Sequence, residues 1–151
     1  MGPYVDSIIA DETMPATTSV VIVGGGIVGT FAALTLAGRG IPVVLCEKGY
    51  IACEQSSRNW GWCRQAGRDA REMPLIVQSL QLWRDMNRLT DSDTGFRQCG
   101  VLYVGEGEAD ERRFAAWADM ARPYDIGTRI VRGAELAALM PGASRAYACG
   151  L

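Results

Sequence analysis

The chain has 151 residues, of which 48% are hydrophobic and 21% are charged, and its formal net charge at pH 7 is -2. This composition is typical of one globular domain and excludes an intrinsically disordered chain. Because the lysines and arginines are not clustered, the charge pattern argues against a nucleic-acid partner.

The absence of histidine excludes several kinds of site. A chain without histidine cannot form Ser-His or Cys-His nucleophilic pairs, His-bearing zinc sites or a histidyl link to a cofactor. The five cysteines include no Cys-x-x-Cys pair, and an odd number cannot all pair within one chain. We therefore predict reduced thiols and no metal site.

The N-terminal segment, residues 1–18, shows neither strand nor helix periodicity, and we predict an extended arm. It lacks the apolar core of a signal peptide, and no apolar run reaches the roughly 20 residues of a membrane span. We therefore expect a soluble, cytoplasmic protein.

The next elements in chain order predict a strand, a helix and a second strand. Val20–Val23 is a β-branched run, which is typical of a parallel strand buried on both faces. From Ile27 to Gly38 small and apolar residues recur at helical spacing, and Gly40 is the better left-handed terminator of this helix. Ile41–Cys46 is then predicted to be a second buried strand, followed by an acid, Glu47.

The second half of the chain predicts further alternating elements. Residues 49–67 have no clean periodicity and are interpreted as a long functional loop. Asp69 to Leu89 is predicted to be a helix with Pro74 near its start and one apolar stripe, most of which belongs to the core. The later predicted elements are a strand at 101–104, a helix at 108–122, a strand at 128–131 and a helix at 134–140. The last ten residues show no capping or strand signal.

The glycines between the first strand and the first helix fit the dinucleotide pattern Gly24-x-Gly26-x-x-Gly29. The first permits a tight turn, the second lets the backbone approach a pyrophosphate, and the third packs helix on strand. The amides of Ile27 and Val28 would then face the phosphates, with the positive end of the helix dipole behind them. These features predict an α/β fold with a Rossmann-like βαβ unit that binds FAD or NAD(P).

Glu47 lies about 20 residues beyond the first glycine, at the end of the second predicted strand. A carboxylate there can accept hydrogen bonds from a ribose diol, and it would repel a 2′-phosphate. NADP is therefore disfavoured, but the pattern alone does not separate FAD from NAD.

The loop after the second predicted strand favours FAD over NAD. The sequence resembles the D-amino-acid oxidase-like (DAO) family of FAD-dependent oxidoreductases, which includes glycine oxidase, sarcosine oxidase and D-amino-acid dehydrogenases. The resemblance spans residues 18–141. Its features are the glycine motif near the N-terminus, the pair Glu47-Lys48, the segment Glu54-Gln55-Ser56-Ser57-Arg58-Asn59-Trp60-Gly61, and the strand Gly100-Val101-Leu102-Tyr103-Val104 before an acidic helix start.

The resemblance implies that this loop wraps the pyrophosphate and ribityl chain of FAD. Ser56 and Ser57 would bind phosphate or ribityl oxygens, and Lys48 would flank the adenosine ribose. Asn59 and Gly61 would lie near the flavin. The alternative is a polar loop that caps the next helix.

Other side chains of this region are not assigned to the site. Trp60 and Trp62 could line the flavin, but we favour buried packing for both. Arg58 could face a phosphate or a substrate carboxylate, but a solvated arginine fits the loop at least as well. Cys63 is expected to be a buried free thiol. No catalytic residue is assigned.

The resemblance also implies domains and an activity. Residues 19–95 would form the N-terminal half of an FAD-binding domain, and residues 96–151 the truncated beginning of an α+β substrate-binding domain. The complete enzyme would oxidise the C–N bond of an amino acid or secondary amine by hydride transfer to the flavin.

Because members of the family are much longer, we expect an N-terminal fragment, with an incomplete FAD domain, that binds FAD weakly and does not turn over alone. The alternatives are a non-catalytic nucleotide-binding subunit completed by a partner chain, and an NAD-binding Rossmann protein.

Overall fold

The computed structural model describes Val5 and residues 7–151. The arm predicted for residues 1–18 falls partly on residues 1–4 and 6, which lie outside the described residues, and residues 7–18 contain neither helix nor strand. The chain forms two compact units, Met1–Trp62 and Cys63–Leu151. This division precedes the one predicted at residue 95, and the domain assignment stays a prediction.

The first unit contains the predicted βαβ element. Its elements are β1 (Val20–Val23), α1 (Ile27–Gly38), β2 (Val43–Cys46) and α2 (Gln55–Arg58). The two strands pair in parallel, with Val20 opposite Val43 and Val23 opposite Cys46. A helix that connects two adjacent parallel strands is the arrangement predicted from the sequence, so the α/β fold class is confirmed.

The second strand is shorter than predicted. The N–H of Ile41 donates to the carbonyl of Leu36 at 3.0 Å, so Ile41 closes the end of α1 instead of joining the sheet. Pro42 has no N–H to offer the ladder, and β2 therefore begins at Val43. Gly40 has a φ of +71°, which confirms it as the left-handed terminator.

The prediction that β1 is buried on both faces is wrong for the described residues. Val20 and Ile22 are half-buried, whereas Val21 is 60% and Val23 87% exposed. The difference arises because α1 packs against both strands and covers one face of the pair.

The second unit contains mostly helices and one short antiparallel pair. Its elements are α3 (Met73–Arg84), α4 (Met86–Thr90), β3 (Val104–Gly105), α5 (Glu108–Ala121), a 3-10 turn (Arg122–Tyr124), α6 (Gly133–Leu139) and β4 (Cys149–Gly150). The two late helices confirm the predictions for residues 108–122 and 134–140 within one or two residues. The strand predicted at 101–104 is reduced to β3, and the one predicted at 128–131 is reduced to a single bridge between Val131 and Gly150.

The helix predicted from Asp69 to Leu89 is divided into α3 and α4 at Asp85. It also starts later, because the Asp69 carboxylate accepts the N–H of Arg71 at 2.9 Å and holds residues 69–71 in a turn. The most buried residues here are Met73 and Met86, while Leu89, which was expected in the core, is 49% exposed.

The end of the chain is more ordered than its sequence suggests. Leu151 exchanges two backbone hydrogen bonds with Tyr103, at 2.9 and 3.0 Å, and so continues the pairing of β3 with β4. Phe114, Cys149 and Leu151 form a buried hydrophobic cluster of the second unit, against which Trp117 packs. The last ten residues show no strand signal, and β4 was therefore not predicted from the sequence.

No helix in the part of the chain that the structure describes is both long and apolar enough to cross a membrane. The same residues contain no group of three or more Cys, Asp or Glu side chains placed to hold a metal ion. All five cysteines are free.

Candidate functional site

The glycine turn begins at the end of the strand pair. The N–H of Gly24 donates to the carbonyl of Cys46 at 2.8 Å, and Gly24 has a φ of +106°, a conformation that favours glycine. A Cβ on Gly29 would overlap the carbonyl oxygen of Gly24 and lie 3.3 Å from Cγ2 of Ile22. The turn and the close packing of α1 on β1 therefore require glycine at both positions.

Helix α1 is capped by a residue from a distant part of the chain. The N–H of Ile27 donates to Oγ of Ser56 at 2.8 Å, and a Cβ on Gly26 would lie 3.0 Å from that same oxygen. The first turn of α1 contains no acidic residue, so its positive end is open to an anion. A hydroxyl that accepts one hydrogen bond keeps its own proton to donate, and Ser56 can therefore bind a phosphate oxygen while it caps the helix.

Glu47 holds the turn from the end of β2. One carboxylate oxygen accepts the N–H of Gly25 at 2.7 Å, and the other accepts the N–H of Gly49 at 2.9 Å. A carboxylate offers about four lone-pair sites, so both oxygens can still accept a bond from a ribose hydroxyl. The amides of Gly25 and then Gly49 stabilise the charged form and hold the pKa of Glu47 below its usual value.

This pKa shift predicts an acid-sensitive contribution to stability. Because the pKa of Glu47 is lower in the folded chain than in the unfolded chain, the contribution is complete above about pH 5 and is lost as the pH falls through the folded value. We expect Glu47→Gln to lower the Tm at pH 7 and to weaken the dependence of Tm on pH between 5 and 3. Thermal unfolding across that range measures both effects.

Glu12→Gln is the matched control, because Glu12 lies exposed before the first strand. Its acid profile should follow that of the unaltered chain. Equal acid slopes for all three chains would contradict the role given to the Glu47 carboxylate.

A pocket of about 500 Å³ lies beside the glycine turn. Five of the residues predicted to bind the cofactor line it: Gly24, Gly26, Glu47, Lys48 and Ser56. The remaining six do not line it: Ile27, Val28, Gly29, Ser57, Asn59 and Gly61. The pocket thus combines a bare backbone turn, a cation, a carboxylate and a hydroxyl, which suits a phosphate joined to a ribose.

Ser57 and Asn59 bind the backbone of their own loop. The Ser57 hydroxyl donates to the carbonyl of Ala52, whose own N–H donates to Gly25 at 2.8 Å. The amide group of Asn59 donates to the carbonyl of Ser56 and accepts the N–H of Gly61, both at 2.6 Å. These contacts shape the loop itself and do not cap the next helix, α3, as the alternative required. The cofactor-binding role of Ser57, Asn59 and Gly61 stays a prediction.

The loop after α2 is more exposed to solvent than predicted. Trp60 is 85% and Trp62 58% exposed, and their rings meet edge to face with centroids 5.8 Å apart. Cys63 is also exposed, although partial burial raises the pKa of its thiol. Buried packing was therefore wrong for all three. Arg58 is exposed and pairs with Glu54 at 3.3 Å.

Three features of the site were not predicted. Gly25 anchors Glu47, Tyr50 lines the pocket, and Ala52 adopts a left-handed φ of 59° while its N–H binds Gly25. The run of three glycines was a sequence signal for the contact between Gly25 and Glu47. Tyr50 could have been noted as the aromatic residue three positions after Glu47, whereas no sequence signal marks Ala52.

Comparison with known proteins gives one family. Residues 19–151 match the model of the DAO family, described as FAD dependent oxidoreductase. Mitochondrial sarcosine dehydrogenase of Mus musculus is 25% identical over 132 residues, which cover 86% of this chain and 14% of that protein. Glycine oxidase of Geobacillus kaustophilus is 28% identical over 121 residues, which cover 73% of this chain and 32% of that protein.

A solved structure extends this similarity to three dimensions. L-amino acid deaminase from Proteus vulgaris superposes with a TM-score of 0.87 and 33% identity, over 98% of this chain and 35% of that one. The chain therefore spans about a third or less of the length of each of these relatives.

Proposed function

Since this chain belongs to the DAO family of FAD-dependent oxidoreductases, we propose that its βαβ unit binds the adenosine diphosphate half of FAD. The resemblance and the cofactor predicted from the sequence are both confirmed by the family match. The observation that carries the proposal is the pocket beside the glycine turn, which is lined by Glu47, Lys48 and Ser56.

The residues at the turn fit a pyrophosphate. Gly24 and Gly26 leave the backbone bare on the pocket side, and the start of α1 offers amides and the positive end of a helix dipole. The hydroxyl of Ser56, which already caps Ile27, would donate its proton to a phosphate oxygen. Val28, which is 81% exposed in the first turn of α1, would supply a further amide.

The residues at the end of β2 fit a ribose. Glu47 is held by two backbone amides with lone pairs to spare, so it would accept hydrogen bonds from the ribose hydroxyls. Lys48 lines the same pocket and would flank the ribose. Asn59 and Gly61 would lie toward the flavin, at the end of a loop that their mutual hydrogen bond shapes.

Bound FAD would supply a hydride acceptor for the oxidation of a C–N bond in an amino acid or amine. The relatives are named sarcosine dehydrogenase, glycine oxidase and L-amino acid deaminase, and these names support this class of substrate. The part played by the residues of this chain is to bind and orient the cofactor.

Titration of the purified chain with FAD and with NAD tests the proposal. We expect FAD to bind in a saturable manner, with a change in flavin absorbance, and to raise the Tm by mass action. Excess NAD should not displace it. Thermal protection by NAD and none by FAD would contradict the proposal and favour an NAD-binding Rossmann protein.

We further propose that these 151 residues alone bind FAD weakly and do not reduce it with an amine. The exposure of Val21 and Val23 leaves one face of β1 uncovered, and an uncovered apolar strand face weakens the unit that holds the site. Stoichiometric flavin that amino acids bleach under anaerobic conditions would contradict this.

The same exposed valines favour a second candidate, a nucleotide-binding subunit whose partner chain covers that face. Size-exclusion chromatography of the chain, with and without extracts of its source cells followed by identification of the bound protein, tests this candidate. A stable monomer that retains no protein would contradict it.

A further inference from the structure

We propose that Tyr50 stacks on the adenine base of the bound nucleotide. This inference rests on the proposed function and adds a base-recognition residue to it. Tyr50 is one of the residues that line the pocket and is 73% exposed, so no other part of the chain occupies the space around its ring. A large aromatic ring at the wall of a pocket provides a flat apolar surface of the kind that bases stack on.

The backbone fixes Tyr50 on both sides. The N–H of Gly49, the residue before it, donates to the Glu47 carboxylate at 2.9 Å. The carbonyl of Tyr50 accepts the N–H of Cys53 at 3.2 Å, which closes a turn over residues 50–53. The ring is therefore presented from a backbone that is tied directly to the carboxylate expected to bind the ribose.

The distance along the chain suits a base attached to that ribose. Tyr50 is three residues from Glu47, so their Cα atoms are at most about 11 Å apart even when the chain is extended. Adenine is bonded to the ribose whose hydroxyls Glu47 would bind. The base must therefore lie close to Glu47, within the region that the Tyr50 ring can cover.

Part of the remaining pocket wall is apolar and suits a flat, neutral group. Val23, Cys46, Ala52 and Cys53 contribute aliphatic and thiol surface to it, and Glu54 and Gln55 are its polar members. No other aromatic residue lines the pocket in the described part of the chain, because Phe31, Trp60 and Trp62 lie outside its wall. Tyr50 is thus the one ring available for stacking in this pocket.

The experiment compares the nucleotide affinity of variants of the full chain. Tyr50→Ala should weaken the binding of both ADP and FAD by roughly 5- to 150-fold, the range that base stacking on an aromatic side chain supports. The inhibition constant of inorganic pyrophosphate against FAD should stay unchanged, because pyrophosphate has no base. Isothermal titration with ADP and fluorescence titration with FAD provide the constants.

Two further variants separate the ring from other effects. Tyr50→Phe keeps the ring and should retain the affinity for ADP within about threefold, since stacking does not need the hydroxyl. Trp60→Ala removes another exposed ring, outside the pocket, and should leave ADP binding unchanged. The Tm of each variant should stay near that of the unaltered chain, because neither side chain is buried.

The possible outcomes are distinct. If Tyr50→Ala binds ADP as tightly as the unaltered chain, the stacking role is overturned while the proposed FAD binding stands. If Tyr50→Phe loses as much affinity as Tyr50→Ala, the hydroxyl and not the ring is the contact, and the inference is equally overturned. An unaltered chain that binds neither ADP nor FAD would overturn the proposed function and this inference together.

Discussion

Gly29→Ala is expected to destabilise the first unit by about 3 kcal/mol and to reduce its affinity for FAD by about 100-fold or more. The added Cβ would overlap the carbonyl oxygen of Gly24, which belongs to the backbone and cannot rotate away. Relief of the overlap requires α1 to move away from β1. That movement would also displace the first amides of the helix from the turn that they share with Gly26.

Gly38→Ala is the matched control, because it makes the same substitution at the other end of the same helix. A Cβ at Gly38 would meet no atom within 4 Å, and alanine favours helix by up to about 1 kcal/mol. This variant should keep its FAD affinity and gain stability slightly. Urea unfolding and FAD titration of both variants measure the effects. Equal stability of Gly29→Ala and the unaltered chain would contradict the packing argument.

Phe114→Ala is expected to lower the free energy of unfolding of the second unit by about 3–5 kcal/mol. The side chain is 5% exposed and packs with Cys149 and Leu151 in the buried hydrophobic cluster of that unit. Its removal leaves a cavity next to the short β3–β4 pair, which has few backbone hydrogen bonds of its own. We therefore expect the C-terminal pairing to be lost first.

Leu139→Ala provides the comparison, because Leu139 is 51% exposed and its truncation should cost less than about 1 kcal/mol. Hydrogen exchange reports the two regions separately. The amides of Tyr103 and Leu151 should exchange faster in Phe114→Ala and at an unaltered rate in Leu139→Ala. Protection of Leu151 in both variants would show that Phe114 does not support the pairing.

The order of elements around the glycine turn could be predicted because each step is dictated by neighbouring residues. Gly24 and Gly29 are needed by a φ angle and a close contact, Gly40 by a left-handed helix end, and Glu47 follows directly from β2. In each of these cases the residue type alone indicates the local structure that it forms. The strand, helix and strand of the βαβ element were accordingly predicted in order and type, whereas α2 lies within residues that were predicted to be a loop.

The end of the chain could not be predicted in this way. The pairing of Tyr103 with Leu151 joins residues far apart in sequence, and a strand of two residues that contains Gly150 carries no alternation. The predicted burial of Trp60 and Trp62 was wrong for a related reason. Their hydrophobicity indicates that burial is favourable, but it does not say which residues are available to cover them.

The residue types of the candidate site were predicted, but the contacts that these residues make were not. Glu47 and Ser56 were assigned to the cofactor, but neither was expected to bind the backbone of the glycine turn. Their contacts depend on the way the loop after β2 returns to the turn through the bond from Ala52 to Gly25. The same course of the loop places Tyr50 in the pocket wall.

The bonds from Ser56 to Ile27 and from Glu47 to Gly25 have a consequence for the thermodynamics of association. They hold in place, before any ligand arrives, the amides and the carboxylate that we propose bind the nucleotide, so the entropic cost of ordering the turn is met during folding. A preorganised site loses less conformational freedom on binding and gains affinity without additional contacts. Substitution of Ser56 by alanine should therefore make the binding entropy more unfavourable, as well as removing one donor.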